Sequence, residues 1–313
     1  VTYEDGKEVK SNPVTFTTLD TTSHNFTWQT FEFGQHGSSR LYDVAIISEN
    51  DIWGVGEIYL SDSLGNPDPK IYNAIHWDGN KWDVMRIQAV FRGNIVTPPL
   101  EGIFAFSETD IWMVGSLPVH GDGNNWNIYD IRTTVDPNLS VSKTWGNSSN
   151  NIFFVGMMGS IAHYQNGSWT KIESGTTSII NDAWGFLNEQ NKTIIYCPVA
   201  SFFTVNDKKI LKIVDGVVDS VNWNRDVRLY SAWAQNENFL YVCGEGVYVN
   251  KFGTWNEIVL QPVGTNSIRG NGINDIFVVG DYGFRSHFNG SNWEIYNADY
   301  LKGYSRLSFK GDI

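Results

Sequence analysis

The sequence is poor in positive charge and in cysteine, and it contains no long hydrophobic run. Its 22 Lys and Arg residues stand against 34 Asp and Glu residues, which gives a net charge of −12. A nucleic-acid backbone or an anionic membrane surface would require a basic face, and no stretch approaches the length of a membrane-spanning helix. The 2 cysteines are too few for a disulfide framework. We therefore expect no nucleic-acid partner and no insertion into a membrane.

Helical periodicity is also missing, whereas aromatic residues and glycine are plentiful. The 313 residues include 13 Trp, 14 Tyr, 18 Phe and 30 Gly, a composition that favours short strands joined by tight turns. Hydrophobic residues make up 41% and charged residues 18%, as in a folded globular chain. The composition therefore predicts an all-β protein.

One motif recurs along the chain and predicts its fold. It reads Asn-Asp-Ile-Trp-Gly-Val-Gly at 50–56 and Asn-Asp-Ile-Phe-Val-Val-Gly at 274–280, and related copies lie at 109–115, 150–156, 193–198 and 238–244. Asn-Gly or Asp-Gly followed by Trp lies downstream in most copies, and such pairs favour the turn of a β-hairpin. Each unit thus predicts four antiparallel strands, a to d, in which the motif forms strand b. Such units, recurring at roughly 40 residues, are typical of a β-propeller.

The pattern predicts seven blades of four strands. Trp28 resembles the start of a strand d with no strand b before it, and residues 304–313 resemble a strand a with no strand d after it. We expect the N-terminal strand to complete the last blade, which would remove open sheet edges. Strands b and c of that blade are missing, so we expect the natural protein to continue by roughly 20 to 25 residues. The missing strands could be cleaved, disordered or supplied by another chain.

The combined motif and hairpin pattern resembles the propeller repeats of large secreted or surface proteins of environmental bacteria. The resemblance covers residues 21–313, while residues 1–20 resemble the tail of a fibronectin type III module. It implies a propeller fold and an extracellular or cell-surface location. It implies no reaction.

The candidate ligand site lies on strand a, mostly seven residues before the first isoleucine of the motif. That position holds Ala45 and Phe104 in the first two units, and the candidate residues after them are Trp145, Trp184, Trp233, Arg269 and Arg306, with an insertion shifting the counterpart in the fourth unit. Strand a lines the channel of a propeller, so aromatic faces there could bind sugar rings or cations, and guanidinium groups could bind carboxylate or phosphate. The alternative is that the tryptophans wedge between neighbouring blades.

Four of the histidines occupy one repeat position, six residues before the hairpin Trp. They are His76, His120, His163 and His287. Equivalent positions in different blades do not converge on a point, as metal ligands must. The spacing therefore predicts hydrogen bonds within each blade.

Two further features carry predictions of their own. Asp62, Asn66 and Asp68 in a long loop offer oxygen ligands for calcium, although the EF-hand spacing is missing; no other cofactor or metal is expected. Cys197 and Cys243 align on strand b of adjacent units, and we expect them to be buried small hydrophobic residues.

No nucleophile elbow, phosphate-binding loop or zinc motif occurs. We predict a noncatalytic extracellular module for binding or display, with a protein or glycan partner at the cell surface or with self-assembly. The alternatives are a lectin-like propeller that uses the strand-a residues, and a carbohydrate-active enzyme with paired carboxylates at the channel mouth. Aromatic side chains exposed to solvent at the channel mouth would favour the lectin. Two carboxylates in a pocket would favour the enzyme, and tightly packed tryptophans would favour the noncatalytic module.

Overall fold

The computed structural model describes residues 2–4, 7–9, 19–35, 38–201, 207–296 and 302–309. Near the N-terminus, Thr2–Glu4 and Lys7–Val9 pair as antiparallel strands. Residues 10–18 lie outside the described residues, and the relation of residues 1–20 to a fibronectin type III module stays a prediction. No helix in the described part of the chain is long and apolar enough to cross a membrane.

Six antiparallel blades follow one another along the chain, and within each blade the strands pair in chain order. We number the blades 1 to 6 and keep the letters a to d for their strands. The first three blades consist of Arg40–Ser48, Asp51–Ile58, Tyr72–Trp77 and Trp82–Met85; Gly102–Ser107, Asp110–Gly115, Leu117–Gly121 and Trp126–Ile128; and Val141–Ser148, Asn151–Gly156, Ile161–Gln165 and Ser168–Lys171. The last three consist of Trp184–Leu187, Thr193–Val199, Lys209–Val214 and Val217–Ser220; Leu229–Asn236, Phe239–Gly244, Gly246–Lys251 and Thr254–Ile258; and Thr265–Gly272, Asp275–Gly280, Arg285–Phe288 and Trp293–Tyr296.

A few elements lie outside this scheme. The hairpin Ala89–Phe91 and Asn94–Val96 extends the sheet of blade 2 to six strands. A short helix, Ile131–Thr134, precedes blade 3, and single 3-10 turns, Met157–Gly159 and Asp281–Gly283, connect strands b and c in blades 3 and 6.

The core is divided among the joints between blades. Strands a of neighbouring blades contact one another, so they surround a central channel. Five clusters of buried apolar side chains fill the five joints from blade 1 to blade 6. Strand b is buried on both faces, as in Asp110–Gly115, because each face meets a different neighbour. This explains why the motif is continuously apolar rather than alternating.

The prediction of seven blades was wrong, because the described residues form six. Residues 19–35 and 302–309, expected to form the split blade, contain no strand. Residues 19–35 take the position of an outermost strand and residues 302–309 that of an innermost strand. A β-ladder joins only adjacent strands, so the two segments do not pair with each other. They nevertheless lie between blades 6 and 1. Phe26 packs on Phe277 of blade 6 with ring centroids 5.0 Å apart, and Phe33 packs on Trp82 of blade 1 at 5.2 Å.

In blade 4, the pairing of strands a and b differs by one residue from the alignment of the sequence repeats. Trp184 pairs with Tyr196 as Trp145 pairs with Phe153, so the residue equivalent to the motif isoleucine is Ile195 and not Ile194.

The two cysteines are therefore not equivalent, contrary to the prediction. Cys197 packs between blades 3 and 4, and Cys243 packs between blades 5 and 6. Both are buried and free, and burial raises the pKa of the Cys243 thiol to about 12. They act as small core residues, as predicted.

Candidate binding site

Two of the predicted site tryptophans are packed between consecutive blades. The ring of Trp145 lies over Gly185 of blade 4, where an added Cβ would come within 2.8 Å of it, and the ring of Trp233 lies over Gly270 of blade 6, at 2.9 Å from such a Cβ. Trp145 is 6% exposed and Trp233 is 2% exposed. A glycine in the next blade thus makes room for each ring, and these tryptophans act as wedges.

Trp184 occupies the same position in blade 4 and also reaches the next blade. Its indole N–H donates to the carbonyl oxygen of Ala234 in blade 5 at 2.8 Å. The guanidinium of Arg269 lies over the Trp184 ring, 4.9 Å from its centroid, in cation–π geometry. One face of this partly buried ring is therefore covered by a guanidinium group.

Arg269 and Arg306 are both engaged by a buried carboxylate, Asp182. Arg269 donates to it through two nitrogens, at 2.9 and 3.0 Å, and Nη1 of Arg306 lies 3.5 Å from it. Burial alone would raise the pKa of Asp182, but the two guanidinium groups hold it well below its usual range. The structure thus brings these two predicted residues together around an internal ion pair.

The sequence alignment predicted that Arg306 is equivalent to Arg269, and the structure shows that it is not. The backbone N–H of Leu307 donates to the hydroxyl of Ser267 at 3.2 Å. At the joint between blades 5 and 6, the N–H of Ile268 donates to the hydroxyl of Ser231 at the same distance. Arg306 therefore occupies the position of those serines, two residues before that of Arg269.

Seven equivalent positions of this kind line the channel, one from each blade and one from residues 302–309. We call them the inner ring, and they are Asp43, Gly102, Lys143, Asp182, Ser231, Ser267 and Arg306. Four of the side chains accept a backbone N–H from the following blade or segment. These bonds tie blade 1 to blade 2, blade 4 to blade 5, blade 5 to blade 6, and blade 6 to residues 302–309.

A second ion pair in the inner ring crosses blade 2. Nζ of Lys143 lies 3.4 Å from Oδ2 of Asp43 and donates to the carbonyl oxygen of Glu101 at 2.5 Å. Gly102 leaves the space open, because a Cβ there would come within 2.6 Å of the backbone oxygen of Ser142. Burial lowers the pKa of Lys143 to about 8, against the opposite influence of Asp43.

A cavity of about 1070 Å³ opens at the end of the channel where the innermost strands begin. Its lining includes apolar side chains such as Phe31 and Ile75. It also includes the residue that precedes each inner-ring position. We call these residues the mouth ring, and they are Tyr42, Glu101, Ser142, Asn181, Tyr230, Asn266 and Ser305. All are polar, in contrast to the apolar joints between blades.

The cavity is balanced in charge. Three carboxylates and three cationic groups line it, from Asp43, Glu101, Asp281, Arg40, Lys143 and Arg306. The net negative charge of the chain is therefore not reflected in the lining of the cavity, which has no net preference for a charged ligand of one sign.

The mouth ring offers both donors and acceptors. The amide nitrogen of Asn181 donates to Ala200 at 3.1 Å and to Leu229 at 3.0 Å, which fixes the side chain and leaves its oxygen as an acceptor. Burial raises the pKa of Tyr42 and that of Tyr230, so both phenols stay protonated at neutral pH; that of Tyr42 is already hydrogen-bonded to Glu57. Such a ring can hydrogen-bond the alternating N–H and C=O groups of a peptide backbone.

The four repeated histidines hydrogen-bond within their own blades, as predicted. Each ring nitrogen lies 2.7–2.9 Å from an oxygen of the residue that precedes the motif isoleucine, namely Asp51, Asp110, Asn151 and Asp275 for His76, His120, His163 and His287 in that order. The rings also stack on the aromatic residue of strand b, as His76 does on Trp53 at 4.1 Å. No group of three His, Cys, Asp or Glu side chains in the described part of the chain is placed to hold a metal ion.

The loop proposed for calcium uses its oxygens internally. Oδ1 of Asp62 accepts the backbone N–H groups of Asn66 at 2.9 Å and Leu64 at 2.8 Å, and these bonds lower the pKa of Asp62. Asp68 accepts the N–H of Lys70 at 2.9 Å. The calcium site stays a prediction.

Comparison with known proteins identifies the fold and no closer relative. No family model and no curated protein matches the sequence. Among solved structures, the chain is similar to YCF48 bound to D1 peptide, with a TM-score of 0.59, 14% identity and 88% of each chain covered. It is also similar to the WD40 β-propeller domain of Doa1 (0.55, 10% identity, 85% of each chain) and to streptogramin B lyase (0.56, 11% identity, 86% of this chain and 84% of that one). At such identities the likeness shows the propeller fold alone.

Of the inner ring, only Arg306 was among the predicted site residues, although the sequence contains a signal for the others. The prediction concerned the wedge position and not the residue two places earlier. In blades 1, 3 and 4 that residue is charged, Asp43, Lys143 and Asp182, inside an otherwise largely apolar strand. A buried charge needs a partner, and that requirement points to ion pairs in the channel.

Proposed function

We propose that this protein is a noncatalytic binding propeller that takes up a segment of a partner polypeptide in the cavity at its channel mouth. The observation that carries this proposal is the mouth ring, where every blade and the segment 302–309 contribute one polar side chain to one opening. Its volume of about 1070 Å³ is at the upper end of the range that ligand sites occupy, roughly 300–1,000 Å³.

The chemistry of the mouth ring favours a peptide. Phenol and hydroxyl groups donate, and carboxylate and amide oxygens accept, so an extended backbone can be bonded along its length. YCF48, a propeller of similar fold, has been solved bound to a peptide. That likeness supports the class of ligand, while the residues that would recognise it are this chain's own.

The buried tryptophans favour the peptide over a glycan. A lectin surface would present aromatic faces to solvent, but Trp145 and Trp233 are buried between blades, and Arg269 is occupied by Asp182. The noncatalytic assignment is part of the same proposal. The carbohydrate-active enzyme stays an untested alternative. On the sequence resemblance, we further propose that the propeller acts as one module of a secreted or cell-surface protein.

Selection from a phage-displayed library of random peptides tests the proposal. Selected peptides are measured on the wild type, on S142W, which places an indole in the mouth ring, and on S220W. Ser220 is an exposed serine on the outer strand of blade 4 and serves as the matched control. We expect equal affinity for the wild type and S220W, and roughly tenfold weaker binding to S142W, a loss of about 1.4 kcal/mol.

Failure to select any peptide, or selected peptides that bind S142W as tightly as the wild type, would contradict the proposal. A glycan array probed with the same three proteins then decides whether the lectin alternative takes its place.

A further inference from the structure

The joint between blades 6 and 1 differs from the other five. Those five joints are each filled by a cluster of buried apolar side chains. At the remaining joint, Phe26, Trp28 and Phe31 lie between the blades but stay 39%, 45% and 45% exposed. Large aromatic side chains in that position, between two sheets, indicate a joint that is only partly filled.

The motif isoleucines show the same difference. These side chains face the preceding blade, as Ile152 does when it packs against Trp112 of blade 2. Ile111, Ile152 and Ile276 are all 0% exposed, whereas Ile52 of blade 1 is only partly buried. The face of blade 1 that turns towards blade 6 therefore lacks the cover that every comparable face has.

Residues 302–309 follow the path of an innermost strand. The N–H of Tyr304 donates to the oxygen of Gly280 at 3.0 Å, as the N–H of Ile180 donates to Gly156 at 2.9 Å at the joint of blades 3 and 4. In every blade such a strand is bonded to strand b. Within the described ranges no strand is bonded to residues 302–309, so this segment presents an edge that can pair.

Residues 26–33 correspond to the outermost strand of the same blade. Phe26 packs on Phe277 of blade 6, whereas Phe33, an odd number of residues later, packs on Trp82 of blade 1. In a strand, residues an odd number of positions apart point to opposite faces. A strand between two sheets would therefore place these two side chains against different sheets, as observed. In blades 1 to 6, two strands always separate the innermost strand from the outermost.

We propose that the space between the two segments, bounded by Phe26, Phe31, Ile52 and Tyr304 and crossed by the ion pair of Lys302 with Glu32, is a docking site for a β-hairpin of a partner protein, of the type that forms strands b and c in this chain's own blades. We call this space the seventh-blade slot. A hairpin of this kind brings a strand b with apolar side chains on both faces, which would cover Ile52 on one side and meet Phe26 on the other. It would also supply backbone partners to residues 302–309. The proposal goes beyond the peptide-binding function of the mouth ring. Phe31 and Tyr304 also line the cavity at the mouth, so the slot adjoins that site, but the hairpin needs none of the mouth-ring side chains.

The probe for this proposal is a synthetic peptide with the sequence of residues 275–288, which form strands b and c of blade 6. The control peptide carries I276D and V278D, since both side chains are fully buried in blade 6. The protein variant is F31S in the slot. Its matched control is F252S, because Phe252 is 72% exposed on blade 5, away from the slot.

We expect the hairpin peptide to bind the wild type and F252S equally and to raise their melting temperatures. Tryptophan fluorescence should shift to shorter wavelengths as Trp28 is covered, and F31S should bind roughly tenfold more weakly. The control peptide should not bind. The mouth-ring variant S142W should bind the hairpin like the wild type, which separates the slot from the mouth.

Absence of binding, equal binding of the two peptides, or unchanged affinity in F31S would overturn the proposal. If F31S does not fold, hydrogen exchange of the wild type decides instead, with slower exchange at residues 302–309 expected on addition of the peptide and unchanged exchange overturning the proposal. A concentration-dependent dimer that excludes the peptide would show that a second copy covers the slot, and would overturn it too.

Discussion

Trp233 shows how the meaning of one residue depends on its neighbour in the next blade. An aromatic residue on a channel-lining strand can face a ligand or the adjacent sheet, and the residue itself does not distinguish the two. The deciding residue is Gly270, which leaves the space that the indole fills. The ring is therefore part of the core, and its loss would leave a cavity at the joint of blades 5 and 6.

Replacement of this tryptophan tests whether it is structural. We expect W233A to lower the free energy of unfolding by about 3–5 kcal/mol, the range for loss of a large buried aromatic, measured by urea denaturation. W28A, at a tryptophan that is 45% exposed, should cost less than half as much. If W233A were as stable as the wild type, the structural role of Trp233 would be contradicted, and a role at a ligand surface would be favoured instead.

His163 differs from the other repeated histidines in its partner. Its ring nitrogen is bonded to the amide of Asn151, where the equivalent residue in blades 1, 2 and 6 is an aspartate. Burial lowers the pKa of His163. The unfolded chain therefore binds the proton more readily, and stability falls as the pH drops below about 6.5, the ordinary value for histidine.

A carboxylate at position 151 should oppose this effect of burial. We expect N151D to raise the pKa of His163, because an adjacent negative charge favours the imidazolium, and to weaken the loss of stability on acidification. Titration of the His163 ring signal by NMR measures the change. The control N150D alters an exposed neighbour and should leave the titration where it is in the wild type; a shift of equal size in both variants would contradict the direct contact.

At the scale of strands, blades 4, 5 and 6 and the segment 302–309 are linked through one carboxylate. Asp182 of blade 4 accepts the hydroxyl of Ser231 in blade 5 at 2.7 Å, two guanidinium hydrogen bonds from Arg269 in blade 6, and the ion pair with Arg306. Two buried cations depend on this one anion. Its removal would leave them without a counter-charge, which is costly in a desolvated site.

We therefore expect D182N to lower the free energy of unfolding by about 3–5 kcal/mol, measured in urea. D226N, at an aspartate that is 87% exposed in its pair with Lys208, should change it by only about 0–1 kcal/mol. Because the pKa of Asp182 is depressed, its contribution is present above about pH 4 and is lost only in stronger acid. Equal effects of the two substitutions would show that the channel ion pairs do not hold the blades together.

The strands themselves were largely predictable, because their signals are local. Asp-Gly and Asn-Gly turns and the apolar strand-b motif mark each hairpin without reference to the rest of the chain. The insertion in blade 4 hid the true register, since Ile194 and Ile195 fit the motif equally well and only the pairing of Trp184 with Tyr196 separates them. Inner-ring contacts join residues up to 125 positions apart, as between Arg306 and Asn181, and no local pattern encodes such contacts.

At the scale of the molecule, the repeat predicted a propeller correctly and its number of blades wrongly. The blade count from the sequence included two partial copies of the repeat, one at each end of the chain, as one blade. A blade, however, requires strands that are adjacent and hydrogen-bonded to each other. Residues 19–35 and 302–309 occupy the place of a seventh blade without forming its sheet. The binding function that we propose is located where the innermost strands begin, because all of them deliver a polar side chain to one cavity.

Binding at this mouth is tested most directly by hydrogen exchange on the wild type, with and without a saturating selected peptide. We predict slower exchange at the first residues of the innermost strands, such as 40–44, 141–143 and 229–231, which begin at the cavity. The turns between strands a and b, such as 148–151 and 236–239, lie at the other end of these strands and should exchange as in the free protein. Protection confined to those turns, or to the outer strands c and d, would contradict a binding site at the channel mouth.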